Sequence, residues 1–381
     1  MTGGRSTGPW SFIRAISLLV ATTIGVGIFS LPYIGVQSGF LLLAIHLIGL
    51  GVFVTLLQLM YAEVILRTSQ RHQMTGYAER FLGHRGKQAV FVATLFAFTG
   101  ALLAYLIIGG DFIAGLISPN GGDIGEWGVV IFFATTGVLV ATGATVIARA
   151  DFFFTIALIA ALIAFLVPGL DQFDITPLRS VHPSAWFAPY GVVLFSLWGL
   201  NVIPELLSPL AGRERSMRSA IVYSVGFVVL LYLVFSFIVM GIAGDGVAEN
   251  ALDSLAPILG DRVIRVGYLF GVLAAFTSYI AIGLVLVKTY QYDFRVPKAL
   301  AWLLTVGVPV ALYVLGLTDF VAVASATGGI FLGIEGLVVM RMYRKAQTQG
   351  DRMPPFRLHI PGWLYVLLMT LLALGVIGSF L

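Results

Sequence analysis

Long apolar runs alternate with short polar joints that carry most of the charge. A span needs about 17 to 25 apolar residues to cross a bilayer. On that basis the runs predict eleven spans, at 11–37, 39–66, 88–118, 127–147, 150–170, 189–211, 218–243, 263–290, 297–316, 318–343 and 361–381. A shorter amphipathic stretch at 74–84 is expected to lie along the interface between the second and third. The pattern fails at two places. Residues 21–32, ATTIGVGIFSLP, set Gly25 and Gly27 one residue apart and follow them with Pro32, all inside the first span. Residues 195–205, FSLWGLNVIPE, place Gly199 and Pro204 inside the sixth. An unpaired backbone group in hydrocarbon costs several kcal/mol, so open backbone at that depth survives only where it lines a cavity or holds a ligand.

The first five spans are odd in number, so the next five cross in the opposite sense, and each unit opens on a broken helix. The expected architecture is therefore all-α, a single polytopic membrane domain over 1–381. It holds a five-helix repeat at 11–170, an inverted repeat at 189–345 and a peripheral helix at 361–381. Short or Gly/Pro-interrupted helices in corresponding positions of two halves mark the midplane ligand site of secondary transporters. Basic residues support the span count: of 22 Lys and Arg, all but Arg179, Arg262 and Arg265 fall on one side. By the positive-inside rule that side is the cytoplasm, with the N-terminus inside and the C-terminus outside.

Composition narrows the class. Of 381 residues, 59% are hydrophobic and 10% charged, against roughly 25% charged in soluble domains, and the mean hydropathy is +0.99. The partners expected are a lipid bilayer and a small molecule rather than nucleic acid, because the basic residues sit in short loops. Arg5 and Arg14 before an apolar run resemble a signal peptide, but no small-residue cleavage site follows, so the segment reads as an uncleaved first helix. The absence of cysteine excludes disulfides, thiolate metal sites and cysteine nucleophiles. No acid, base and nucleophile cluster suggests an enzyme, and no ring of charge suggests a channel, although a channel and a non-transporting sensor stay as alternatives.

Gly25 and Gly27 allow a ligand close to the main chain. The amides at the start of the next half-helix, around Val26 and Gly27, would face a carboxylate with the helix dipole behind them; the same glycines also suit tight helix crossing. In the sixth span, carbonyls unwound between Phe195 and Gly199 would accept from an ammonium group. Ser196, Trp198 and Asn201 sit beside them, and Trp198 is placed equally well as a cover over the substrate or as a packing aromatic. In the eighth span Ala274, Thr277 and Ser278 share a face and offer oxygen ligands to a hard cation, or simply bond back to their own helix. Buried ionisable groups are candidate functional sites: Glu205, just past the second break, suits either a proton site or a structural hydrogen bond to freed backbone and is the first to test, and Glu335 lies in the inner third of the tenth span. Glu63 and Arg67 read as an interfacial pair, and Asp111 as solvated.

TIGVGIFSLPY resembles the first helix of the amino acid–polyamine–organocation superfamily, which shares the leucine-transporter fold. FSLWGLNVIPEL resembles the sixth, and AFTSYIAIGLVLVKTYQYDF the eighth helix of its amino acid and auxin permease branch, which includes the bacterial aromatic amino acid permeases. The likeness implies a substrate site at Thr23, Gly25, Val26, Gly27, Phe195, Ser196, Trp198 and Asn201, with Tyr105 contributed by the third helix. It also implies a sodium site from the carbonyls of Ala21, Ile24 and Ala274 and the hydroxyls of Thr277 and Ser278. Asn201 stands where some branches carry an acid, and no lysine occupies the middle of the fifth span, where certain proton-coupled relatives place one. The expected activity is symport of an amino acid with sodium or a proton by alternating access at the cell membrane. No charged group is assigned to the pocket, which favours a neutral substrate, with large apolar or aromatic side chains fitting it.

Overall fold

The computed structural model describes residues 9–118, 126–143, 160, 163 and 167–379. In chain order the helices are α1 (Pro9–Thr23), α2 (Gly27–Ser38), α3 (Phe40–Leu66), α4 (Met74–Ile117), α5 (Trp127–Thr142) and α6 (Pro189–Leu197). They continue with α7 (Met217–Ala243), α8 (Leu252–Leu259), α9 (Asp261–Phe294), α10 (Lys298–Val314), α11 (Phe320–Ala326), α12 (Gly333–Gln349) and α13 (Gly362–Gly378). A 3₁₀ stretch, Leu200–Leu207, follows α6, and a π-helical turn, Thr327–Leu332, joins α11 to α12.

Every expected span except the fifth has a helical counterpart; 150–170 falls mainly outside the described residues. The amphipathic stretch from Met74 is continuous with the third span but separated from it by a kink at Gly83, whose φ is 75°. The sixth span is not one helix to residue 211: it is α6 and the 3₁₀ stretch, with Trp198 and Gly199 between them. Pro204 lies inside that stretch, where its missing amide removes a rung of the ladder.

The broken segments pack against several long helices. α6 lies against α2, α3 and the π turn, α4 against α9 and α12, and α7 against α1, α2 and α3. Small residues make these approaches feasible where apolar side chains gain little by leaving lipid. A Cβ on Gly328 would lie 2.0 Å from the Gly191 carbonyl oxygen and 2.7 Å from the Phe195 amide nitrogen, so the π turn rests directly on the α6 backbone. Beyond the first break, Phe29, Phe112, Phe235 and Phe270 are buried together, with the Phe29 ring centroid 4.9 Å from that of Phe112.

Two loops are tied by polar contacts. After α12, the Asp351 amide donates to the Arg67 carbonyl (2.8 Å) and Arg352 Nε to that of Leu66 (2.7 Å). The Asp351 carboxylate accepts from the Ser69 amide and hydroxyl at 3.0 and 2.9 Å and pairs with Arg80. The Ser69 bonds hold this carboxyl below its ordinary value. The stabilisation is therefore present above the usual carboxylate range and is lost as pH falls through the lowered value.

Gly39, between α2 and α3, has φ +89°, and a Cβ there would lie 2.3 Å from the Ser180 carbonyl oxygen. Gly39→Ala is expected to lower the melting temperature of the detergent-solubilised protein. The backbone conformation alone costs of order 1–3 kcal/mol, and the clashing atom is main chain that cannot rotate away. An unchanged melting temperature would contradict this placement.

Candidate functional site

The first break is a bend of 56° between the halves of the first span. α1 ends with Ile24 N donating to Val20 O (2.8 Å) and Gly25 N to Thr23 O (2.9 Å), and the ladder resumes with Phe29 N to Val26 O (3.1 Å). The first turn of any helix leaves its amides without intrahelical acceptors, and no side chain caps α2. Val26 and Gly27 stand at that start, buried.

The second break lies beside the first. A Cβ on Gly27 would meet Ser196 Oγ at 2.3 Å and its Cα at 3.0 Å, and a Cβ on Gly199 would meet Thr23 Oγ1 at 2.7 Å. The glycines thus bring two open backbone segments face to face. Tyr232 of α7 spans them: its hydroxyl lies 3.0 Å from the Thr23 carbonyl and 3.0 Å from the Ser196 carbonyl. One O–H carries one hydrogen, so it donates to one of these acceptors at a time.

Tyr105 of α4 completes one wall. A Cβ on Gly25 would be 2.9 Å from its hydroxyl, that hydroxyl hydrogen-bonds to Ser278, and its ring faces Phe195 at 6.5 Å between centroids. The structure therefore gathers Gly25, Tyr105, Phe195 and Ser278 around one spot, with Gly27, Ser196 and Thr23 adjoining. The hydroxyls of Thr23 and Ser196 bond back to Leu19 and Val192, four residues earlier. Thr277 Oγ1 donates to Ala274 O at 3.0 Å, the local back-bond, which ties together two members of the expected cation set. Ala21 is half-buried and Ile24 buried at the end of α1; Asn201 is half-buried in the 3₁₀ stretch.

Two acidic residues differ from their sequence-based placing, Glu205 and Glu63, while Glu335 lies buried in its expected span. Glu205 is exposed and lines a cleft of about 210 Å³ with Arg71, His72, Tyr77, Pro204 and Ser208. Glu63 and Arg67 form a buried rather than an interfacial pair, at 2.7 Å, and Glu63 also accepts from the Leu358 amide. Glu335 is fully buried and accepts from Thr94 Oγ1 at 2.5 Å and from Trp198 Nε1 at 3.2 Å. Trp198 thus directs its indole N–H at α12. Sequence reasoning passed over Tyr232 and Thr94; the available signal was a polar side chain inside an apolar run.

Paired backbone breaks apposed inside an all-helical, multi-pass membrane bundle suit a membrane transporter. The chain matches the model of the tryptophan/tyrosine permease family over residues 9–379, and it belongs to that family: it is a membrane transporter and not an enzyme. Glutamine transporter 2 of Aliivibrio fischeri is 20% identical over 348 residues, 87% of this chain and 89% of the relative. Among solved structures, MhsT in complex with L-phenylalanine is similar with a TM-score of 0.67 at 17% identity, covering 99% of each chain. That likeness shows the leucine-transporter fold expected from the first and sixth spans.

Proposed function

We propose that this permease is a cation-coupled symporter of neutral amino acids with large apolar or aromatic side chains, working by alternating access in the cell membrane. The N-terminus is inside, the C-terminus outside, and 11–170 and 189–345 are inverted repeats within the amino acid–polyamine–organocation superfamily. The observation that carries this reading is the apposition of Gly27 on Ser196, which brings the backbones of the two breaks into direct contact. The substrate carboxylate sits on the amides of Val26 and Gly27, its ammonium on carbonyls between Phe195 and Gly199, and its side chain against Tyr105 and Phe195. Sodium, if it is the coupling ion, is held by Ala21, Ile24 and Ala274 carbonyls with Thr277 and Ser278, after the Thr277 hydroxyl turns from its own helix. The family description and the L-phenylalanine bound to MhsT support an aromatic substrate; the name of the Aliivibrio fischeri relative supports a neutral polar one.

The purified protein is tested by thermal shift against the twenty amino acids, with and without sodium and at two pH values, and then by uptake into proteoliposomes. A ligand raises the apparent stability by about 2.7 kcal/mol at a hundred times its dissociation constant. Stabilisation by tryptophan, tyrosine or phenylalanine together with gradient-driven uptake is the expected result. Stabilisation without counterflow would make the protein a sensor, and single-channel currents would make it a channel.

A further inference from the structure

Behind the second break lies a buried polar group that the substrate site does not use. The Glu335 carboxyl, immediately after the π turn, is fully buried, and its hydrogen-bond partners among the described residues are two neutral donors, Thr94 and Trp198. π turns inside helices concentrate at functional positions. The contrast with Glu63 is informative. Glu63 is held by the Arg67 guanidinium at 2.7 Å, a charged partner that Glu335 lacks among its hydrogen bonds. Glu335 has hydrogen bonds that serve either protonation state, since the Thr94 hydroxyl can turn from donor to acceptor.

The elements packed against α12 are α3, α4, α13 and the π turn. On α3 the titratable groups nearby are Tyr61, which interacts electrostatically with Glu335, and the Glu63–Arg67 pair, already satisfied. α4 offers Thr94, with no charged residue between Lys87 and Asp111. α13 carries only Tyr365, which lies against Arg344 of α12 at 4.7 Å, and the π turn carries no titratable residue. On α12 itself Arg341, Tyr343 and Arg344 lie six or more residues further along.

A path leads outward. Tyr61 is fully buried with no partner for its hydroxyl, and Gln58, one turn before it, is fully buried with neither amide atom paired. Buried polar groups of this kind are places where water bridges. The Tyr61 ring packs edge-on against Tyr77, 5.9 Å between centroids, and Tyr77 lines the cleft that holds Glu205 and His72.

Resting on the transport reading above, we propose that Glu335 is the proton-binding site of this permease. It takes one proton from water while the site faces one side and returns it, through Tyr61, Gln58 and bridging water, to the cleft beside Tyr77. The carboxylate becomes a carboxylic acid and then a carboxylate again, with no other bond changed. Because Trp198 is the first extended residue of the second break, the charge on Glu335 sets the pull on its indole N–H and so on the backbone that binds substrate. Proton occupancy and substrate occupancy are thereby linked.

The test uses the full chain in proteoliposomes with radiolabelled L-tryptophan and a pH-sensitive dye inside. The wild type is expected to accumulate L-tryptophan down an imposed proton gradient and to acidify the lumen only when substrate is present, without sodium. Glu335→Gln is expected to keep binding and counterflow, while gradient-driven accumulation and substrate-dependent acidification fall by about tenfold or more. Glu335→Asp, which retains a carboxyl, keeps the proton flux. Unchanged acidification in Glu335→Gln, or accumulation by the wild type that needs sodium and moves no protons, overturns the assignment and leaves the transport reading standing. Failure of every aromatic amino acid to undergo counterflow in the wild type overturns the transport reading instead. Should Glu335→Gln not assemble, Thr94→Val decides. Loss of that donor displaces the pH midpoint of accumulation by at least about half a unit, and an unmoved midpoint counts against Glu335.

Discussion

Gly27→Leu abolishes substrate binding and uptake while leaving the protein able to assemble in the membrane. A Cβ at this position would already lie 2.3 Å from Ser196 Oγ and 3.0 Å from its Cα, so any side chain must wedge the two breaks apart. A leucine adds three more carbons to that wedge. Binding measured by thermal shift or radioligand is expected to weaken by at least about 100-fold, roughly 2.8 kcal/mol. Gly226→Leu on α7 is the matched control, since nothing lies within 4 Å of a Cβ there, and it is expected to bind and transport as the wild type does. Gly27→Ala weakens binding less, and Ser196→Gly in the same chain recovers part of the loss by removing the Oγ and Cβ that clash. Normal binding by Gly27→Leu would show that the apposed backbone is packing and not a site.

Tyr232→Phe is the second large effect, and it separates hydrogen bonding from shape. The fully buried ring stays and only the hydroxyl between the Thr23 and Ser196 carbonyls is lost. Leaving a buried carbonyl without its donor costs about 1–3 kcal/mol, paid in the geometry of the two breaks rather than in the bundle as a whole. Apparent affinity and uptake are expected to fall by about 5- to 100-fold, with the melting temperature of the ligand-free protein changing by a few degrees at most. Wild-type affinity in this variant would show that the hydroxyl is spectator to the site. The single hydrogen of this group also gives it a switching character: it can serve the first break or the second, and a substrate that claims one carbonyl frees it for the other.

The positions of both breaks were legible because they rest on residues whose conformational chemistry is local. Gly25 and Gly27 open the first span, whereas Pro32 is accommodated inside α2, and Trp198-Gly199 with Pro204 opens the sixth. Tyr105 was reached only through resemblance, and its place against Gly25, Phe195 and Ser278 follows from the crossing of α4 over both breaks. The burial of the acids was not legible. Glu205 sits next to a break in sequence, yet the 3₁₀ stretch turns it outward into the cleft. Glu335 lies 137 residues from Trp198 and meets its indole because α12 packs beside α6 through the π turn. That pairing left no local pattern to read. Tyr232 showed only as a single hydroxyl in an apolar run, and its partners sit on two other helices.

The sequence by itself determined that the chain is a bundle of apolar helices and where two of them open, since hydrophobic length and glycine or proline chemistry act within a few residues. Only the tertiary structure decided which polar groups meet: Gly27 with Ser196, Tyr232 with both breaks, Glu335 with Trp198 and Thr94. Such contacts join residues far apart in the chain, and in lipid they depend on how closely helix backbones can approach, a property of pairs of surfaces that no single segment encodes.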